Sequence, residues 1–283
     1  MSRILIIGSN GLLGSSLTIF LKKKYDVVVF NRKKNSLTNF SSCFSFLNKN
    51  YFDVIINLSA VTDIDFCEKN KNFAKKINFL IVKNICKSIK KLKIKTFLIQ
   101  LSTDQFYYNF SENFEGIQSY KNYYSKTKLL AEKECLKINS SILRTNFFGK
   151  SLANNRKSFT DWIYENLSNK KKIFMAADIL FNPVSIETLC DIIKIIIKKK
   201  IKGVFNIGSK NGFSKYLFGL KFAKHAKLNA KFIVKTTMSK INFFARRNKD
   251  MRMQTVKFEN KYNYKFITLN NEIKKVAIYY KTI

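Results

Sequence analysis

Tyr124 and Lys128 stand four residues apart in Asn122-Tyr-Tyr-Ser-Lys-Thr-Lys128. That spacing puts both on one face of a helix. An ammonium beside a phenol favours the phenolate, so the pair predicts a tyrosine whose pKa falls from about 10 towards working pH. Such a group can give its proton to a developing alkoxide. The pattern has little weight alone in a chain with 13 Tyr and 53 basic residues. Two companions strengthen it. Leu101-Ser-Thr-Asp104 offers Thr103 as a hydroxyl that can hydrogen-bond a carbonyl oxygen, while strand alternation turns Ser102 to the other side. Gly8-Ser-Asn-Gly11-Leu-Leu-Gly14 offers a turn for a dinucleotide. Thr103, Tyr124 and Lys128 are the candidate catalytic residues.

The elements needed to position these groups are legible as apolar runs and amphipathic stretches. Arg3–Ile7 reads as a buried parallel strand, residues 12–24 as a helix and residues 26–30 as a second strand. The loose polar stretch that follows has room for a third, and residues 53–57 form another. Residues 66–92 hold one or two helices, 95–101 the next strand, 120–137 a helix and 141–144 a strand. Alternating strand and helix imply an α/β fold, a Rossmann-type doubly wound parallel sheet. Residues 187–199 and 203–207 return to the sheet as helix and strand. The expected division is a cofactor-binding lobe of residues 1–145 plus roughly 180–208. A smaller C-terminal substrate lobe takes 146–179 and 209–283.

The glycines of the turn let backbone amides approach a pyrophosphate, and the helix N-terminus adds partial positive charge. Gly8, Asn10, Gly11, Leu12 and Gly14 are therefore expected at the cofactor. The second strand ends Phe30-Asn31-Arg32-Lys33. A carboxylate here would bind the 2′-hydroxyl of NAD; instead Arg32 can hold a 2′-phosphate. NADPH is the expected cofactor, with NADH possible.

The formal net charge of +35 could signal nucleic acid or an anionic surface. Only seven of the 53 basic residues are Arg, the lysines are scattered, and Asn, Ile, Phe and Tyr are plentiful, which is the mark of A/T-rich coding. No specific nucleic-acid partner is expected; runs such as residues 170–172 and 198–200 read as solvated turns and helix ends. Five cysteines without C-x-x-C spacing read as reduced thiols in a cytoplasmic protein. One histidine, His225, argues against a His-based triad or zinc site, and no metal cluster is nominated. No apolar run approaches the roughly 18 residues of a membrane span, and Met1-Ser-Arg-Ile leads into a strand with no signal peptide ahead of it.

In their order these motifs resemble the extended short-chain dehydrogenases/reductases, and within them the dTDP-4-dehydrorhamnose reductase family of sugar-nucleotide reductases. Residues 53–65, Cys67-Glu68 and Ile77-Asn78 resemble that family's strand, cofactor loop and following helix; Tyr124-x-x-Thr-Lys128-x-x-x-Glu132 fits its catalytic helix. Leu143-Arg-Thr-Asn-Phe-Phe-Gly149 resembles the strand entering the substrate lobe. Residues 178–183, Arg247 and Lys257 match weaker landmarks. The resemblance implies cofactor contacts from Ser59, Ala60, Asn78, Tyr124 and Lys128. It implies substrate contacts from Asp104, Asn146, Arg247 and Lys257, the last two on a diphosphate. The implied reaction is NADPH-dependent reduction of the 4-keto group of a nucleotide-linked deoxysugar, as in dTDP-L-rhamnose-type and polysaccharide biosynthesis, by a monomer or homodimer. The chain departs from the family at Ser125, where Gly is frequent, around residues 36–39, where an Asp is usual, and at Asn248, where Pro follows the late Arg.

Gln105 separates related chemistries. The related 4,6-dehydratases would have Thr-Asp-Glu, and an amide cannot serve as the general base of a water elimination. An epimerase shares Tyr and Lys and stays open on these residues, as does a non-catalytic NADP-binding regulatory subunit of the same fold.

Overall fold

The structure is a computed structural model and describes residues 1–109, 113–116 and 119–281. Strands β1 (Arg3–Ile7), β2 (Asp26–Val29), β3 (Val54–Asn57), β4 (Phe97–Leu101) and β5 (Ser140–Thr145) join Gly203–Ile207 in a six-stranded sheet. From one edge the order is β2, β1, β3, β4, β5 and Gly203–Ile207, and every pairing is parallel. β1 therefore lies between β2 and β3. The winding reverses there, and in open α/β sheets such a switch opens a crevice at the carboxyl ends of the strands.

The period of two along each strand separates two cores. Ile4 and Ile6 of β1, with Val54, Ile56 and Ile99, pack against α1 (Leu12–Lys22) and the helix Ile186–Lys199. Leu5 and Ile7, with Ile55 and Leu98, face the helices Phe40–Lys49, Ile81–Leu92 and Tyr123–Cys135. The inner strands β1, β3 and β4 are buried on both faces, which is why they read as unbroken apolar runs, while the edge strand β2 is partly exposed.

The polar stretch after β2 holds no third strand. Residues 32–34 turn, and Phe40–Lys49 begins as a helix capped by Asn39, whose side chain accepts from the Ser42 amide at 3.0 Å. Residues 31–36 lack the alternation a strand needs, and Leu37 plugs the core instead.

A third cluster gathers Phe148, Ile163, Met175, Phe181, Phe218 and Phe222 with Leu269 and Ile273. It draws on both stretches expected in the smaller lobe. Phe258, Tyr262 and Phe266 do not join it; they pack on the sheet's first core, although they follow residue 209. The five cysteines are free and buried. No helix among the described residues is long and apolar enough to cross a membrane, and no group of His, Cys, Asp and Glu among them could hold a metal ion.

Candidate active site

The turn after β1 is shaped by what its glycines lack. Gly8 has φ +88°, a left-handed conformation that favours glycine, and a Cβ there would meet the Ser59 amide at 2.9 Å. A Cβ on Gly14 would stand 2.1 Å from the Gly8 carbonyl oxygen. This close approach draws the start of α1 tightly beneath the strand end. Gly11 is the N-cap of α1 with no side-chain cap, and no acid lies in the first turn. The first amides of α1 thus stay available to an anion. Asn10 is exposed, and Leu12, Ser59 and Ala60 are half-buried around the same turn. Arg32 is exposed at the turn closing β2. A glycine cradle, an uncapped helix and a basic β2 end fit a dinucleotide with a 2′-phosphate.

Across the sheet edge the chemical groups converge. Asn122 caps the helix Tyr123–Cys135 by accepting from the Ser125 amide at 2.9 Å, and Ser125 Oγ donates back to the Asn122 carbonyl at 3.0 Å. Serine replaces the family's frequent glycine here by folding onto the cap. Tyr124 and Lys128 share the buried face. The Tyr124 hydroxyl lies near the Thr103 side chain, which acts to lower its pKa. Ser102 points away and donates to Glu132, so alternation assigns the two hydroxyls as expected.

The tyrosine's acidity differs from the sequence expectation. Burial raises the Tyr124 pKa well above its usual value, against a smaller lowering by Thr103, and Asp104 raises it further. Lys128 does not offset this, because its Nζ donates to the Leu101 carbonyl at 2.6 Å. Burial also lowers the pKa of Lys128 to about 8. The structure therefore holds Tyr124 as a firmly protonated phenol, the form a proton donor needs before it acts.

The helix carrying this pair is fixed to the sheet by a buried network. Arg144 Nη2 on β5 donates to Glu132 Oε2 at 2.7 Å, with both side chains essentially inaccessible. Arg144 Nη1 donates to the Tyr107 hydroxyl at 2.8 Å, which donates to Asn206 Oδ1 at 2.6 Å. Glu132, a conspicuous part of the sequence motif, thus anchors the helix.

Asn78 occupies a similar supporting place. It lies in a π-helical turn, Lys76–Leu80, and is buried. Its Oδ1 accepts from the Val61 amide at 2.8 Å, and its Nδ2 donates to the Val61 carbonyl at 3.1 Å and to Thr127 Oγ1 at 3.2 Å. Its amide is thus bonded on both ends within the protein. It clamps the loop after β3 to the helix of Tyr124 and Lys128.

Asp104 is buried beside Thr103. It accepts from Asn146 Nδ2 at 2.9 Å and from Gln105 Nε2 at 3.1 Å, and burial raises its pKa. Asn146 thus meets Asp104 as the motif order implies. Arg247 reaches back from the late chain and donates from Nη2 to Asp65 Oδ1, in the segment after β3, at 2.8 Å. Its Nη1 is buried with no hydrogen-bond partner among the described residues, and Phe243 lies under the guanidinium at 4.9 Å. Arg246, Arg247, Lys240 and Phe243 line a cavity of about 530 Å³. Lys257 is placed elsewhere. It stands on the helix Val256–Tyr262 with its ammonium over Phe205, on the outermost strand, at 5.4 Å, because the Phe258 face of that helix packs on the sheet.

Lys215 was missed. Its ammonium lies 3.4 Å from the Phe181 ring centre and within electrostatic reach of Asp104. The available signal was a lysine directly after Ser214 at a helix start, where a positive charge is disfavoured.

Comparison with known proteins agrees with this geometry. The family model of the RmlD substrate binding domain matches residues 1–281. The chain belongs to that family. It is 25% identical over 240 residues to the dTDP-4-dehydrorhamnose reductase of Aggregatibacter actinomycetemcomitans, covering 78% of each chain. It is 24% identical over 251 residues to the spore coat polysaccharide biosynthesis protein SpsK of Bacillus subtilis, covering 84% of each. The fold matches the dTDP-4-dehydrorhamnose reductase of Bacillus anthracis, solved in complex with NADP. The TM-score is 0.90 at 20% identity, over 98% of this chain and 99% of that one.

Proposed function

We propose that this family member reduces the 4-keto group of a nucleotide-linked deoxysugar with NADPH, as the names of its relatives suggest for them. The observation that carries the reading is the meeting of Thr103 and Tyr124 at the carboxyl edge of the sheet, with Lys128 buried on the same helix face. A bound nicotinamide would supply the hydride. Tyr124, held protonated by burial, gives its proton to the oxygen of the ketone. Thr103 donates a hydrogen bond to that oxygen and fixes the carbonyl against Tyr124. Lys128 can leave the Leu101 carbonyl to hold a ribose hydroxyl, and from there its charge lowers the barrier to proton loss by Tyr124.

The Gly8–Gly14 turn, Ser59 and Ala60 hold the pyrophosphate side of the cofactor, with Arg32 at the 2′-phosphate; Asn78 supports the loop. Residues 1–145 with about 182–208, together with the sheet-packed stretch 256–266, form the cofactor lobe. The remainder of 146–283 forms the substrate lobe, where Arg247 meets the diphosphate and Asp104 and Asn146 face the sugar. Lys257 is left on the sheet side and is removed from the diphosphate contacts. The homologous reductases make this an enzyme of the NAD(P)-dependent oxidoreductase class. Monomer and homodimer are both compatible with the reading.

The test is oxidation of NADPH, followed by its absorbance, across a panel of nucleotide-linked 4-keto-6-deoxyhexoses. Turnover with at least one member is expected. Tight NADPH binding with no turnover on any would overturn the reading.

A further inference from the structure

Lys215 sits where a lysine is least comfortable. It is the first residue of the helix Lys215–His225, at the positive end of the helix dipole. Its ammonium is drawn inwards over Phe181 at 3.4 Å and Phe159 at 4.6 Å. Neither ring accepts a conventional hydrogen bond, and no such bond reaches the ammonium from the described residues. The nearby carboxylate is Asp104, whose Oδ2 accepts from Asn146 at 2.9 Å and whose Oδ1 accepts from Gln105 at 3.1 Å. Among the described residues, the ammonium's three N–H donors therefore have no hydrogen-bond acceptor.

We propose that Lys215 is a sugar-reading residue: its ammonium donates hydrogen bonds to hydroxyls or the ring oxygen of the sugar whose carbonyl faces Thr103 and Tyr124. This rests on the function proposed above and names the part of the substrate that Lys215 takes. Position favours the sugar over the diphosphate. Lys215 is within electrostatic reach of Asp104, the residue that directly follows Thr103. Charge favours it too. Asp104, within electrostatic reach, offsets part of the ammonium's charge, which suits neutral oxygens better than a dianion. Burial lowers the Lys215 pKa to about 8 while Asp104 raises it, so at neutral pH the group remains mainly a cationic donor. The aromatic faces fix its stem and keep the ammonium from turning out to solvent.

The variant to make is Lys215→Met, which keeps an unbranched apolar stem against Phe181 and Phe159 and removes the donors. Losing a hydrogen bond from a charged group typically weakens an interaction by about 10–100-fold. The expected result is a rise of about that size in KM for the nucleotide-linked 4-keto-6-deoxyhexose. Titrated NADPH and free dTDP should bind within about twofold of wild type, as expected when neither is touched. A thermal melt confirms the fold.

A second variant separates direct contact from an effect through Asp104. In an Asp104→Asn background the counter-charge role of Lys215 is gone. Lys215→Met should still raise KM there if the ammonium touches sugar. Three results would overturn the inference: an unchanged KM, an equal loss of dTDP affinity, or no further effect in the Asp104→Asn background. If wild-type protein turns over no sugar in the panel, the proposed function falls and this inference with it; a wild type that turns over beside an unaffected variant removes only the inference.

Discussion

The two ends of the cleft are built in opposite ways. At Gly8–Gly14 the chain has removed side chains so that backbone can approach a ligand: a Cβ on Gly14 would lie 2.1 Å from the Gly8 carbonyl oxygen. At the other end it uses side chains from separate stretches: Asn146 and Lys215 near Asp104, and Arg247 on Asp65, and the two cations are partly desolvated. A backbone site is contiguous and tolerates little change in its residues. A side-chain site is assembled by the fold and can be rewritten one residue at a time. On the function proposed here, the cofactor end is thus the conservative half by construction, and the substrate end is where this chain can differ from its relatives.

Substitutions can break this comparison. The largest effect should come from Tyr124→Phe, which removes one hydroxyl and keeps the ring. Loss of a general acid typically costs about 10²–10⁴ in rate, so kcat should fall by that order while NADPH titrates as before. Wild-type turnover would show that another group delivers the proton. Next is Gly14→Ala. Overpacking typically costs about 1–3 kcal/mol, and here it strikes the cofactor turn. NADPH affinity should fall about tenfold or more by calorimetry, and dTDP affinity should change little. Equal losses for both ligands would erase the distinction between the two ends.

Arg247→Ala is the converse. It should raise KM for the nucleotide sugar about tenfold, in the range expected for a charged hydrogen bond, and spare NADPH. Loss of NADPH binding instead would place Arg247 at the wrong end of the cleft. Arg32→Ala sharpens the cofactor half alone, with NADPH weakened by about tenfold or less and NADH unaffected. Similar changes for both cofactors would remove Arg32 from the 2′-phosphate.

The smallest effect concerns stability. Lys128 titrates at about 8 in the folded ligand-free protein against 10.5 unfolded. Between those values the unfolded chain binds more protons, so this group makes stability rise with pH across that window. Denaturant titrations of Lys128→Met at pH 7.5 and pH 10 should show a smaller gain between the two than wild type does. An equal gain would mean that Lys128 keeps its ordinary acidity when buried.

What could be read before the fold was known follows the same division. The glycine turn, the strand ends and the Tyr124–Lys128 spacing are local, and they stood in the sequence as motifs with strand and helix on the proper sides. The separation of Ser102 from Thr103 followed from alternation alone. The acidity of Tyr124 could not be read, because it depends on how deeply the helix is buried and on Lys128 reaching the Leu101 carbonyl. Asn78 is expected at the cofactor because its position in the order matches; its bonds to Val61, Cys67 and Thr127, which make it a clamp, appear only in the fold. Lys257 and Lys215 were hidden in a lysine-rich composition, where the type of residue carries almost no information. Only packing shows that one rests on the far strand and the other turns inwards.

The buried pair of Arg144 and Glu132 has a consequence for how this chain can age over generations. Mobile ions screen charges on the surface within about 10 Å at ordinary ionic strength, but they do not enter a site whose two partners are essentially inaccessible. The anchor of the catalytic helix therefore feels little of the salt around the protein. It is also insulated from gains and losses of surface lysine. A drifting base composition could load the exterior with positive charge, one silent step after another, and leave the alignment of Tyr124 and Lys128 against β4 undisturbed.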